Sequence, residues 1–447
     1  MLVDTVLLNC KVYLDKEIFE AGIAIENGKI AKIGKQPNLP EASEKIDLKG
    51  CLALPGLIDV HVHLRDQELA YKETFYTGTA AAAAGGITTV LDMPNNKPTT
   101  MDEFTLQERM RIAKSQILTN VGFYSAFPEE KAQITQLAET GAVAFKIFLV
   151  KRIGGLNIDD DYEIIEMLIS AKKLGNPVAF HAEDRKEIEE KRQKLMLEGK
   201  NDISAFLEAH SPEAEIKSVR RIIALAKSSD THVHICHVSC GEALKLISEA
   251  KKRRMKISCE ATPHHLLLSS NDFSEKGSLM LTDPPVRSKE EQQLLWKGVS
   301  EGEIDIIASD HAPHALEEKF SDEIWKVSPG VPGLETTLPL MLTQVNRGLL
   351  SIDDLVRLMA ENPAKIFGLD GKGVLKNGFS ADITVVDLNR EGIIDSSKFY
   401  SKAKYSPFDG WVVKGLPVKT FVNGVLVMDE GEIVAKPGVG MIIRRKF

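Results

Sequence analysis

The stretch Asp59-Val60-His61-Val62-His63-Leu64-Arg65 sets two imidazoles, a carboxylate and a guanidinium into an apolar run. Side chains alternate along an extended strand, so Asp59, His61, His63 and Arg65 are expected on one face. Ile58, Val60, Val62 and Leu64 are expected on the other, packed outward on helices. Two neighbouring imidazoles suit zinc. A His-X-His pair alone is more often a pair of hydrogen-bonded core histidines, but here the pattern recurs. Phe180-His181-Ala182-Glu183, Cys236-His237-Val238-Ser239 and Ala308-Ser309-Asp310-His311 each close an apolar run with a metal-binding side chain. Lys146, inside Ala144-Phe145-Lys146-Ile147-Phe148, puts an ammonium where charge is costly. Two dications nearby would repel it. Carboxylation of the deprotonated amine by carbon dioxide would give an anionic carbamate able to bridge both; the bland alternative is a buried stem whose head reaches the rim. The chemistry these residues suit is metal-assisted hydrolysis.

Such residues must be brought together by repeated elements. Eight apolar runs read as strands: Leu57–His63, Thr88–Met93, Val121–Ala126, Ala142–Phe148, Val178–Ala182, Val233–Val238, Ile257–Ala261 and Ile304–Ser309. Helical patterns such as Thr74–Ala84 and Tyr162–Leu174 follow them. Eight β-then-α repeats predict an α/β fold, a (β/α)8 TIM barrel whose active site lies at the carboxyl ends of its strands. A doubly wound open sheet would gather ligands at one crevice instead, whereas here polar residues end many strands. Both chain ends read as β-structure around Asn27-Gly28 and Asn423-Gly424, a hairpin signal. They predict a small composite β-sandwich, residues 1–52 and 368–447, flanking a barrel over residues 53–367. Lys151–Asp161, with Gly154-Gly155, is a candidate loop for closing over substrate.

The bulk numbers exclude other classes. A net charge of -8 over 447 residues argues against nucleic-acid binding. No apolar run approaches the ~20 residues of a membrane span, and no leader is evident, so the expected location is cytoplasmic. Five scattered cysteines read as reduced thiols; Cys236 and Cys240 lack a second pair for a structural zinc site. Among the other histidines, alternation points His232 and His234 toward helices, and His210 falls in a loop or helix start. His264, His265 and His311 read as hydrogen-bonding support rather than ligands.

From Leu54-Pro55-Gly56-Leu57 through Asn362-Pro363-Ala364 and beyond, the chain resembles the amidohydrolase superfamily and, within it, the dihydroorotases of the longer, two-metal class. That resemblance implies two Zn2+ per subunit, with His61 and His63 on one, His181 and His237 on the other, carboxylated Lys146 as bridge, and Asp310 as last ligand and proton shuttle. It implies that Arg65, Asn95 and His314 hold the substrate carboxylate, which suits a fork-shaped guanidinium. The implied reaction is reversible cyclisation of N-carbamoyl-L-aspartate to L-dihydroorotate in pyrimidine biosynthesis, by a metal-bridging hydroxide. Alternatives are an allantoinase or hydantoinase, though similar hydantoinases lack the arginine, or a non-catalytic scaffold homologue that has lost ligands. Two positions depart from the family pattern: Gln67-Glu68, where Pro-Gly is usual, and Asp283, where asparagine is usual before Pro-Pro. Homo-oligomerisation and association with aspartate transcarbamoylase, known in some relatives, are left open by the sequence.

Overall fold

The structure is a computed structural model and describes residues 2–445. The chain begins with β1 (Leu2–Leu14), β2 (Glu17–Glu26), β3 (Lys29–Gly34), β4 (Glu41–Asp47) and β5 (Leu52–Pro55). β1 shifts register between Leu7 and Cys10, where Asn9 is left-handed (φ 47°). Its first half pairs with β4 and its second with β5, both parallel.

The barrel follows: β6 (Leu57–Val62), β7 (Ile87–Asp92), β8 (Asn120–Ala126), β9 (Ala142–Phe148), β10 (Val178–His181), β11 (Val233–Ile235), β12 (Ile257–Ala261) and β13 (Ile306–Ile307). Each hydrogen-bonds to the next in parallel. A parallel bridge between Val62 and His311 joins the ends of this ladder, and the His63 amide donates to the His311 carbonyl at 2.8 Å. The intervening helices start on side-chain caps. Thr74 closes a capping box for Phe75–Ala84, and Asp160 accepts from Tyr162 and Glu163 amides at Asp161–Lys173. No helix among the described residues is long and apolar enough to cross a membrane.

After the barrel come β14 (Ile383–Ile393), β15 (Val412–Val422), β16 (Val425–Asp429), β17 (Glu432–Ile433) and β18 (Ile442–Ile443). β14 pairs with β5, so both ends of the chain build one sheet, in the order β17-β16-β15-β14-β5-β1-β2-β3. One apolar cluster of this sheet joins residues from both ends of the chain, among them Leu7, Ile23, Ile25, Ile383, Val385 and Phe421. Both Asn-Gly turns form with positive φ at each residue (51° and 73°; 50° and 81°). They also dock on one another: Ala381 donates to the Gly28 carbonyl and accepts from the Gly424 amide, each at 2.9 Å. A Cβ at Gly28 would stand 2.8 Å from the Asn423 carbonyl oxygen, so only glycine fits there. β18 pairs with β8 at Val121–Gly122, at the amino end of the barrel strands.

One expectation about β6 fails. Ile58 and Val60 do not face the helices that follow the barrel strands; the helix in their cluster is Asn362–Phe367. They join Ala144, Ala179, Cys236, Ile306 and Ala308 in a separate buried cluster, while Leu57, Val62 and Leu64 pack with helix residues such as Phe75 and Leu106. The reason is a bulge: Asp59 to Val62 on β6 opposes Val90 to Asp92 on β7, one residue more than the partner. Alternation restarts after it.

Candidate metal centre

His61, His63 and Asp310 meet at the carboxyl end of the barrel, their ligand atoms all within 4.8 Å of one another. Asp310 Oδ1 lies 3.3 Å from His61 Nε2 and 3.2 Å from His63 Nε2. The outer nitrogens are already engaged, His61 Nδ1 with Glu260 Oε1 and His63 Nδ1 with Asn95 Oδ1 at 2.7 Å. If each Nδ1 carries the proton it donates, both Nε2 lone pairs face a carboxylate oxygen. Three acceptors aimed at one point are what a cation satisfies. Burial lowers the pKa of His61, and burial together with Arg65 holds His63 well below the usual imidazole range. Burial raises Asp310 against the pull of His61 and Lys146. Neutral imidazoles are the form that binds metal.

The other ligand candidates lie beside this trio. The His237 ring is 5.2 Å from that of His61 and 4.7 Å from that of His181. His181 Nε2 contacts Glu183 Oε2 at 2.8 Å, which leaves its other ring nitrogen for a metal. Burial, with His181 and His61 beside it, keeps His237 well below its ordinary pKa. Lys146 is 1% exposed, and its Nζ donates to Cys236 Sγ at 2.8 Å. Among the described residues no carboxylate forms an ion pair with it. The donor set of imidazoles, a carboxylate and a buried amine fits divalent cations.

Several of these residues are held in strained backbone. Arg65, Asp66 and Gln67 are left-handed in succession (φ 53°, 53° and 50°), as are His237 (35°) and Asp310 (46°). Each costs of order 1–3 kcal/mol and persists only where its surroundings over-determine it. Asp66 accepts from the Gln67 and Phe75 amides (2.6 and 2.8 Å). Gln67 Oε1 accepts from Arg109 and Asn96 (2.9 and 3.3 Å). The departure at Gln67 is therefore part of the clamp.

Arg65 and Asn95 line the same cavity as His61, His63, His181, His237 and Asp310, with a volume of about 240 Å³. Val150 lines it as well, as do Lys151 and Ile153 of the candidate closing loop. His314 does not line it; it stands behind Arg65, 3.4 Å from Nη2, and reaches the Pro329 carbonyl at 3.0 Å. Asp283 does face the cavity, and its charge is balanced from behind: His210 Nδ1 lies 2.9 Å from Asp283 and 3.1 Å from Glu183. Burial opposes charge on His210, but the two carboxylates prevail and push it up to about 10. His210, expected in a loop or helix start, is the C-cap that ends helix Ile203–Ala209, one residue before Ser211 caps helix Pro212–Ser229.

Sequence reasoning missed Glu260 and misplaced His234. Glu260, on β12, engages His61 and His234 and accepts from the His237 amide at 3.1 Å. Burial alone would raise its pKa; His61 and His234 bring it well below the carboxylate range. His234 is fully buried within reach of Ser258 and Glu260, and the helix it meets is Asn362–Phe367, through the Phe367 ring, rather than the helices that follow the strands. Counting back from His237 failed because β11 ends at Ile235 and His237 adopts positive φ, so the two do not share one alternation. The available signal was a carboxylate inside the apolar run Ile257–Ala261, the same anomaly that marks Lys146.

Residues 52–427 match the amidohydrolase family. A dihydroorotase of Pyrococcus furiosus is 40% identical over 443 residues, covering 98% of this chain and 96% of that protein. A dihydroorotase of Methanothermobacter thermautotrophicus is 39% identical over 438 residues, covering 97% and 96%. The solved structure of an L-hydantoinase (dihydropyrimidinase) from Arthrobacter aurescens superposes with a TM-score of 0.95 at 33% identity, covering 99% of this chain and 100% of that one.

Proposed function

The chain belongs to the amidohydrolase family, and on that premise we propose that it interconverts N-carbamoyl-L-aspartate and L-dihydroorotate as a metal-dependent cyclic amide hydrolase. The observation that carries this reading is the cavity itself. Arg65 and Asn95 share about 240 Å³ with the histidine and aspartate cluster, so one small anionic ring reaches both.

We infer two divalent cations, zinc by the softness of the donors, with His61 and His63 holding one and His181 and His237 the other. Asp310 completes the set. Addition of carbon dioxide to the neutral Lys146 amine, with loss of one proton, would give a carbamate whose oxygens could serve both cations. A buried amine that has no carboxylate partner among the described residues supports that assignment. When bound, the metals polarise the amide carbonyl and lower the pKa of the attacking water.

The protein's own groups do the rest. Arg65 offers paired donors to the substrate carboxylate, and the Asn95 amide nitrogen remains able to donate because its oxygen serves His63. His314 braces Arg65 from behind. Asp310 takes a proton from the water and delivers it to the departing amide nitrogen; ring closure runs through the same steps reversed.

A hydantoinase is the second reading, favoured by the 0.95 superposition on L-hydantoinase. Assay of the purified protein on N-carbamoyl-L-aspartate, allantoin and hydantoin, with and without a chelator, separates them. Chelator-sensitive turnover of the first substrate is expected. Preference for a ring without a carboxylate, or turnover that persists in a metal-free protein, would overturn the reading.

A further inference from the structure

Lys319 ends the short 3-10 turn Leu316–Lys319 and has no exposed surface. Its ammonium has no carboxylate partner among the described residues. Three carbonyls solvate it instead: Leu281 at 3.1 Å, Ser328 at 2.9 Å and Gly330 at 2.8 Å. The Tyr405 ring lies 5.7 Å away, and the Tyr405 hydroxyl donates to the same Gly330 oxygen at 3.2 Å. A buried charge without a counter-charge is expensive, and burial pulls this amine down to about 7. An apolar residue of similar length would avoid that cost, so the ammonium needs another reason to be there.

The three carbonyls supply one. Leu281 stands two residues before Asp283, and Ser328 and Gly330 flank Pro329; Asp283, Pro329 and Gly330 all line the cavity. The Pro329 carbonyl is also the partner of His314, which backs Arg65. Only an ammonium brings three donors to a single point; a guanidinium spreads its donors in a plane, and an amide has two.

We propose that Lys319 is a positioning residue, whose clasp on the two chain segments walling the cavity sets the distance between that wall and Arg65 and so fixes where substrate binds. The inference rests on the substrate reading above. Its mark is a change in binding without a change in the metal centre, because no contact of Lys319 touches a ligand residue.

The test compares full-length wild type with Lys319→Met and Tyr405→Phe. For whichever of the three substrates the wild type turns over, Lys319→Met is expected to raise KM about tenfold or more, with kcat within about twofold and metal content unchanged. Tyr405→Phe, which removes one donor from Gly330, should shift KM the same way by a smaller factor, and it carries the test if Lys319→Met does not fold. Amide hydrogen exchange should quicken at Gly330 and its neighbours while the helix 161–173 stays protected. An unchanged KM with a lowered Tm would make Lys319 merely structural, and a joint fall in kcat and metal content would place its action on the metals; either result overturns the inference. If the wild type turns over none of the three substrates, the substrate reading fails, and exchange then decides the clasp: loosening confined to these segments upholds it, and uniform or absent loosening overturns it.

Discussion

The division of labour among donors at single residues makes sharp demands on substitution. Arg65 offers charge-assisted bonds to a carboxylate, each worth about 1.5–3 kcal/mol. Arg65→Met should therefore raise KM for N-carbamoyl-L-aspartate by about 100-fold or more while leaving any turnover of unsubstituted hydantoin nearly unchanged, which steady-state kinetics on both substrates will check. His210 carries a different signature. Its pKa is pushed up to about 10 by Asp283 and Glu183, so its contribution to stability is complete below the ordinary imidazole value of about 6.5 and fades as pH rises through 10. Denaturant midpoints followed from pH 6 to 10 should fall more steeply for wild type than for His210→Gln, the difference reaching roughly 2–4 kcal/mol. The same pair answers the question raised by Asp283, because a carboxylate facing the cavity is tolerable when an imidazolium stands behind it. The ligand candidates were legible because each is a polar side chain closing an apolar run. Glu260 gave the same signal at Ile257–Ala261 but was masked by its strand having no histidine. His210 was opaque, since its partners at 183 and 283 are adjacent only in space.

At the scale of elements, β9 and β12 ran where their apolar stretches ran, Ala142–Phe148 and Ile257–Ala261. β11 and β13 came out much shorter than the runs Val233–Val238 and Ile304–Ser309, because His237 and Asp310 leave extended geometry to aim at the site. The bulge in β6 was unreadable, since an inserted residue carries no mark in its side chain. What steadies the loop after β6 is a helix. Arg109, from Glu103–Lys114, donates to Asp92 at 2.7 Å and to Gln67 at 2.9 Å, with its guanidinium 4.6 Å from the Phe75 ring. Breaking a buried pair on one side costs about 3–5 kcal/mol. Arg109→Met is expected to lose that much in urea denaturation, and to weaken substrate binding along with it as the left-handed run through Arg65 relaxes.

Across the whole molecule, the Asn-Gly turns announced two hairpins, but nothing local told that they would meet at Ala381. The last strand likewise escaped notice, being only Ile442–Ile443. It lies at the amino end of β8, away from the metal cluster, and Ile443 packs against the barrel cluster of Ile58 and Val60. Ending the chain at Val439 should lower stability by about 1–3 kcal/mol through lost burial, while metal content and turnover at low temperature persist. A melting curve beside a metal assay will decide it. The pairing of β5 with β14 has a further consequence, for synthesis. Ribosomes add about 5–20 residues per second, so the roughly 330 residues between Pro55 and Ile383 take about 15–65 s to emerge. Throughout that interval the first-made strands hang from the ribosome with a bare edge, and the nascent chain must be shielded from its neighbours until its own tail arrives.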